Sequence, residues 1–92
     1  MAKPMYWTYV LWNHKLHKRY VGSTEKLPRV RLYDHNKGKT PFTSKGIPWL
    51  LIHSESYSTL SEARKRELFL KSGVGRQWLD ENLKIPLERY SK

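Results

Sequence analysis

At 92 residues the chain has the length of one domain, 1–92, and is too short for two. It has no cysteine, which excludes disulfides and thiolate metal sites and is compatible with a reducing cytoplasm. Eighteen Lys and Arg against eight acids give a net charge of +10, spread along the chain, so the expected partner is a polyanion, nucleic acid first. Four Trp, six Tyr and two Phe exclude a disordered chain and supply a compact core, expected within about residues 5–83. No apolar run approaches the roughly 18 residues of a membrane span. The start, Met1-Ala2-Lys3-Pro4, lacks the apolar stretch of a secretory signal, so a cytoplasmic protein without membrane partners is expected.

In chain order, Tyr6 to Trp12 is aromatic and β-branched on both alternating faces, which predicts a central strand. Asn13 to Leu16 is a polar interruption of turn length, and His17 to Ser23 reads as the returning strand of a hairpin. With His14-Lys15 as the loop, Asn13 faces Leu16 and Tyr9 faces Tyr20, which puts two phenols on one face of the sheet. Pro28 suits the first turn of a helix running to Asn36 and closed by Gly38. On that helix Arg31 and His35 are one turn apart and share a face. Lys37 to Pro48 is a basic loop carrying Lys37, Lys39 and Lys45. Trp49 to Glu55 reads as a third strand. Thr59 and Glu62 have capping-box spacing, so a helix is expected from Leu60 to about Ser72. A last helix is read from Gly75 to about Leu83. Ile85 to Lys92 either docks or frays.

The helix from Leu60 carries the most informative side chain. Leu60, Ala63 and Leu70 form an inward stripe, and Glu67 falls within it. An inward carboxylate needs a partner. It either forms a salt bridge with Arg31 or another base, or it holds a hard cation such as Mg²⁺. The histidines show no zinc spacing: His14 and His17 fall at a turn, His53 on a strand, and only His35 gains interest, from Arg31. There is no Walker loop and no nucleophile elbow. Tyr6, Trp7, Trp12, Trp49 and Trp78 are mostly core candidates, although exposed rings among basic residues also stack bases.

Tyr9 and Tyr20 on a hairpin, Arg31-x-x-x-His35, a strand, and a helix with Glu67 together resemble the GIY-YIG nuclease superfamily. Trp7-Thr8-Tyr9 keeps only the tyrosine of the first tripeptide, and Tyr20-Val21-Gly22 nearly matches the second. His35-Asn36-Lys37-Gly38, Ser61-Glu62-Ala63 leading to Arg66-Glu67, and Leu70-Lys71-Ser72-Gly73 extend the match. The likeness is to small standalone bacterial-type domains, similar to the N-terminal incision domain of the ABC excinuclease. It implies an α+β fold: a small three-stranded antiparallel sheet flanked by helices, in the order β-β-α-β-α-α. It also implies an endonuclease acting on DNA with one divalent cation, Mg²⁺ or Mn²⁺, held by Glu67. Arg31 would contact the phosphate, Tyr9 act as general base, Tyr20 orient water or phosphate, and His35 assist. Asn82 aligns with a late family asparagine near the site. Lys37, Lys39, Lys45, Arg64, Lys65 and Arg76 would grip the strand. Single-stranded, branched and duplex DNA all remain open, with structure or single strands expected over a long duplex sequence. Two rival readings are a non-catalytic nucleic-acid-binding module on the same fold and a basic protein that recruits another enzyme.

Overall fold

In a computed structural model that describes residues 5–41 and 43–83, three strands form one antiparallel sheet in the order β2-β1-β3. These are β1 (Tyr6–Asn13), β2 (Lys18–Thr24) and β3 (Leu50–Tyr57); helices α1 (Pro28–Asn36), α2 (Leu60–Lys71) and α3 (Gly73–Asn82) complete the α+β architecture. The strand order makes β1 central and β2 an edge, and Thr8 to Asn13 of β1 are all buried. That burial explains why both faces of β1 are apolar: each one supports its own core.

Side-chain alternation sends Tyr9 and Leu11 to one face, where they pack with Trp49, Leu32 and Leu51. Val10 goes to the other, with Val21 of β2, Leu70 of α2 and Leu79 of α3. Each such fully buried aliphatic side chain contributes roughly 1.5–3 kcal/mol. So α1 and the segment after it cover the tyrosine face, and α2 and α3 cover the valine face. Thr8 Oγ1 donates to the Ala63 carbonyl at 2.7 Å, which fastens α2 to β1.

The hairpin register differs from the sequence-based expectation. Tyr9 lies opposite Gly22, Tyr20 opposite Leu11 and Asn13 opposite Lys18, so the loop has four residues, His14 to His17, rather than two. Asn13 causes this. Its buried side chain accepts from Leu16 N at 2.8 Å and donates to the Pro48 carbonyl at 2.9 Å, and His17 turns the chain at φ 52°. The slip is by two residues, so every side chain keeps its face.

A bulge separates Val10/His53 from Leu11/Leu51 in the β1–β3 pairing. The extra residue, Ile52, packs into the valine-face core, while His53 meets Trp78 of α3 with ring centroids 5.8 Å apart. Simple alternation therefore does not place His53. Glu55 on the same strand accepts from Arg66 Nε at 2.9 Å and from His53 Nε2 at 2.7 Å, which ties β3 to α2. Arg66 stacks over both Phe69 and Trp78.

Local signals set the helix ends. Pro28 opens α1, and Gly38 follows its end at φ 78°. Thr59 accepts from Glu62 N at the start of α2. Ser72 both ends α2 and caps α3, accepting from Gly75 N at 3.1 Å, so α3 starts at Gly73. A Cβ on Gly75 would lie 1.8 Å from the Phe69 carbonyl oxygen, so only glycine permits this helix corner. The basic loop contains a 3₁₀ turn, Ser44–Gly46. Trp49 Nε1 donates to the Thr43 carbonyl and Asn36 brackets the Trp49 backbone, so the loop is anchored at its return. Trp12 and Trp49 are core; Tyr6, Trp7 and Trp78 are half-buried. The expectation for residues 85–92 lies outside the described residues.

Candidate active site

Tyr9 is the centre of a cluster on the tyrosine face. Its ring lies across Gly22, where an added Cβ would stand 2.6 Å from the phenol oxygen. The glycine of the second tripeptide is thus the floor on which the buried Tyr9 ring lies. Tyr20 and Tyr9 share this face diagonally, ring centroids 6.2 Å apart. α1 brings in His35, whose ring lies 4.9 Å from that of Tyr20. The Tyr9 hydroxyl and His35 Nε2 are 2.9 Å apart, and His35 Nδ1 and Thr43 Oγ1 are 2.6 Å apart. Thr43 Oγ1 donates to the Thr40 carbonyl, so it accepts from His35. That assignment puts the imidazole proton on Nδ1 and leaves Nε2 to accept the Tyr9 proton.

Electrostatics agree with a neutral imidazole. Burial, then the Arg31 charge, lowers the His35 pKa below its ordinary 6.5, with Asp34 opposing. Burial pushes Tyr9 up to about 12, although a hydrogen bond from Arg31 pulls it the other way. Burial works against the charge of Arg31, but the Tyr9 phenol and the Asp34 carboxylate outweigh it and raise its pKa.

Asp34 is a residue that the sequence reading missed. Its carboxylate takes Arg31 at 3.2 Å, Lys26 at 3.3 Å and Lys39 at 3.4 Å. Desolvation opposes its charge, but Lys26 and then Lys39 outweigh it and hold the carboxyl below the usual aspartate range. Three cations around one carboxylate leave this corner net positive, next to the Tyr9 hydroxyl. The available signal was the i,i+3 spacing of Arg31 and Asp34.

Glu67 approaches from the other face. It is half-buried on α2 and accepts from Ser23 Oγ at 2.6 Å through one oxygen and from Lys71 through the other. Its salt-bridge partner is therefore Lys71, not Arg31. Ser23 is three residues after Tyr20 on β2, with its side chain turned toward α2. Tyr9, Tyr20, Arg31 and His35 are brought together, while Glu67 stands across the edge strand from them. A cleft of about 440 Å³ wraps this edge, lined by Tyr20 and Val21 and by Leu70, Lys71 and Arg76.

Among the described residues no three His, Cys, Asp or Glu side chains converge into a metal cage. The donor set fits a different kind of site, one hard cation held by a single carboxylate and otherwise by water. The Lys71 ammonium on Glu67 is an exposed i,i+4 partner, a kind of pair worth only about 0.3–0.5 kcal/mol, so it is easily displaced.

The basic candidates divide. Lys39 is paired with Asp34, and Lys37 sits over the Tyr33 ring at 5.3 Å. Lys45 and Arg76 line clefts, and Arg64 and Lys65 are exposed on α2. Asn82 donates to the Trp78 carbonyl of its own helix.

Two phenols, a guanidinium and an imidazole are thus gathered beside an edge strand of an α+β domain, in a chain of charge +10. The model of the GIY-YIG catalytic domain matches residues 5–79, most of the chain, and the chain belongs to that family of endonucleases. Comparison with curated proteins and with solved structures gave no match. No helix among the described residues is long and apolar enough to cross a membrane.

Proposed function

We propose that this chain is a divalent-cation-dependent endonuclease that hydrolyses phosphodiester bonds in DNA by direct attack of water. The observation that carries the reading is the hydrogen-bonded series from Tyr9 through His35 to Thr43, with Arg31 against the same phenol. Bond order and burial divide the work. Tyr9 is 1% exposed, so the half-exposed Tyr20 is the phenol that meets the attacking water. The water gives its proton toward Tyr20, whose own proton moves to the Tyr9 oxygen as Tyr9 delivers its proton to His35 Nε2. The imidazole becomes an imidazolium, with its Nδ1–H still donating to Thr43 Oγ1. A phenol that would be a poor base alone is thereby served by a base of lower pKa. This changes the expected division of labour, in which Tyr9 faces the water itself.

Arg31, fixed between Tyr9 and Asp34, offsets the charge that grows on the phosphate oxygens. Lys26 and Lys39 hold the same corner positive and draw the strand in. Glu67 would hold the cation, Mg²⁺ or Mn²⁺, which when bound supplies charge against the scissile phosphate and its leaving oxygen. Thr8, which replaces the isoleucine of the first tripeptide, is turned toward α2 and leaves the Tyr9 ring in place.

The test is a panel of single-stranded, duplex and forked DNA incubated with Mg²⁺ or Mn²⁺. Cutting should require the cation, and Glu67→Ala should bind DNA as wild type does but not cut. Equal cutting by that variant in chelator would end the metal assignment. Salt-sensitive binding with no cutting on any member of the panel would favour the binding-module reading instead.

A further inference from the structure

Tyr20 and Arg19 border a second cleft as well as the first, so the two run together along the edge of β2. The second has a volume of about 380 Å³. Leu16, Pro41 and Trp49 give it apolar walls, Lys18 and Lys45 bring two cations to it, and Arg19, held by Asp80 at 2.7 Å, lies at its border. Apart from the shared Tyr20, none of these residues takes part in the proton path above.

The cleft is built rather than incidental. Trp49 is 4% exposed and its indole is locked by the bond to the Thr43 carbonyl, so it forms a rigid floor. Its ring stands 6.4 Å from that of Tyr20, at 68°. Leu16, at the hairpin loop, folds back so closely on Gly46 that a Cβ there would lie 2.7 Å from Leu16 Cδ1. Even so, 44% of Leu16 is exposed, an apolar side chain left open among lysines.

We propose that this cleft seats an unpaired nucleobase of the cleaved strand, beside the scissile phosphate, and that the substrate is single-stranded DNA. The proposal rests on the nuclease reading and goes past it by naming the substrate's form and the residues that select it. An apolar floor with a cationic rim matches a planar base flanked by phosphates. Its volume lies in the small-ligand range of roughly 300–1,000 Å³, which a single base enters and a duplex does not. A duplex offers no free base without unstacking one. The strand then crosses Tyr20 and continues into the first cleft, where Lys71 and Arg76 meet the following phosphates. An apolar side chain of a partner protein would leave the charges of Lys18 and Lys45 unanswered.

The probes are three fluorescent DNAs of equal length: an oligo-dT strand, the same backbone made wholly abasic, and a duplex. Binding is read by anisotropy in chelator, so the measurement does not depend on cutting. Wild type should prefer the base-bearing strand over the abasic strand by roughly ten-fold. Leu16→Asn, a neutral change at an exposed position, should bring that ratio close to one. Lys45→Ala should weaken both strands alike and reduce the salt dependence. Equal binding of the two strands by wild type, an unchanged ratio in Leu16→Asn, or tighter binding of duplex than of oligo-dT would overturn the proposal. Base-dependent binding by a protein that never cuts would remove the nuclease reading and leave the base site standing.

Discussion

Gly22 and Gly73 differ in what stands over their Cα atoms, and a pair of alanine substitutions turns that difference into a measurement. A Cβ on Gly22 would lie 2.6 Å from Tyr9 Oη and 2.7 Å from Cζ, well inside contact distance. The Tyr9 ring has little room to yield, since it is 1% exposed and its hydroxyl is bonded to His35. Alanine therefore forces either the ring or the β1–β2 pairing to move, and overpacking of this kind costs about 1–3 kcal/mol. In a domain of this size each kcal/mol corresponds to roughly 4–8 °C in Tm. Nothing lies within 4 Å of a Cβ on Gly73, so Gly73→Ala should stay within about 0.5 kcal/mol of wild type. Thermal and urea denaturation read stability, and single-turnover cleavage reads the site. Gly22→Ala should also lose about 10²-fold in cleavage, the lower end of what a positioned proton acceptor supplies. Equal stability of the two variants, or wild-type cleavage by Gly22→Ala, would refute the claim that this glycine exists to seat Tyr9.

Two further outcomes follow from the same cluster. Arg31→Lys removes the planar donor that reaches both Tyr9 and Asp34, and single-turnover cleavage should drop by about 10²-fold while anisotropy shows DNA affinity little changed; wild-type turnover would take Arg31 out of the mechanism. Below pH 6.5 the folded state binds fewer protons than the unfolded chain, because the His35 pKa is lowered in the fold. Its contribution to stability is thus full above pH 6.5 and is lost as pH falls through the lowered value. kcat/KM should share that acidic limb, since protonated His35 cannot accept from Tyr9, and His35→Gln should flatten the stability profile in that window; an unaltered profile would show that another group titrates there.

Sequence alone was enough for what depends on neighbours along the chain. The 28–36 helix is legible because Pro28 and Gly38 bracket it, and the helix from Leu60 because Thr59 caps it, whatever the rest of the chain does. The central position of β1 follows from apolar residues on both of its faces. The motif residues Tyr9, Tyr20, Arg31 and His35 were likewise legible, and they do share one face. Other features needed the tertiary fold. Hairpin register was set by the Asn13 side chain reaching Pro48, a contact 35 positions away. The role of Asp34 depends on Lys26 and Lys39, which arrive from separate segments. Helical periodicity turned Glu67 inward, but nothing in a periodicity says which side of the sheet a helix will cover. That is decided by how two cores divide the side chains of β1, and it sets Glu67 across the edge strand from the phenols. Spacing along a chain fixes which side chains share a surface; only long-range burial fixes what that surface meets.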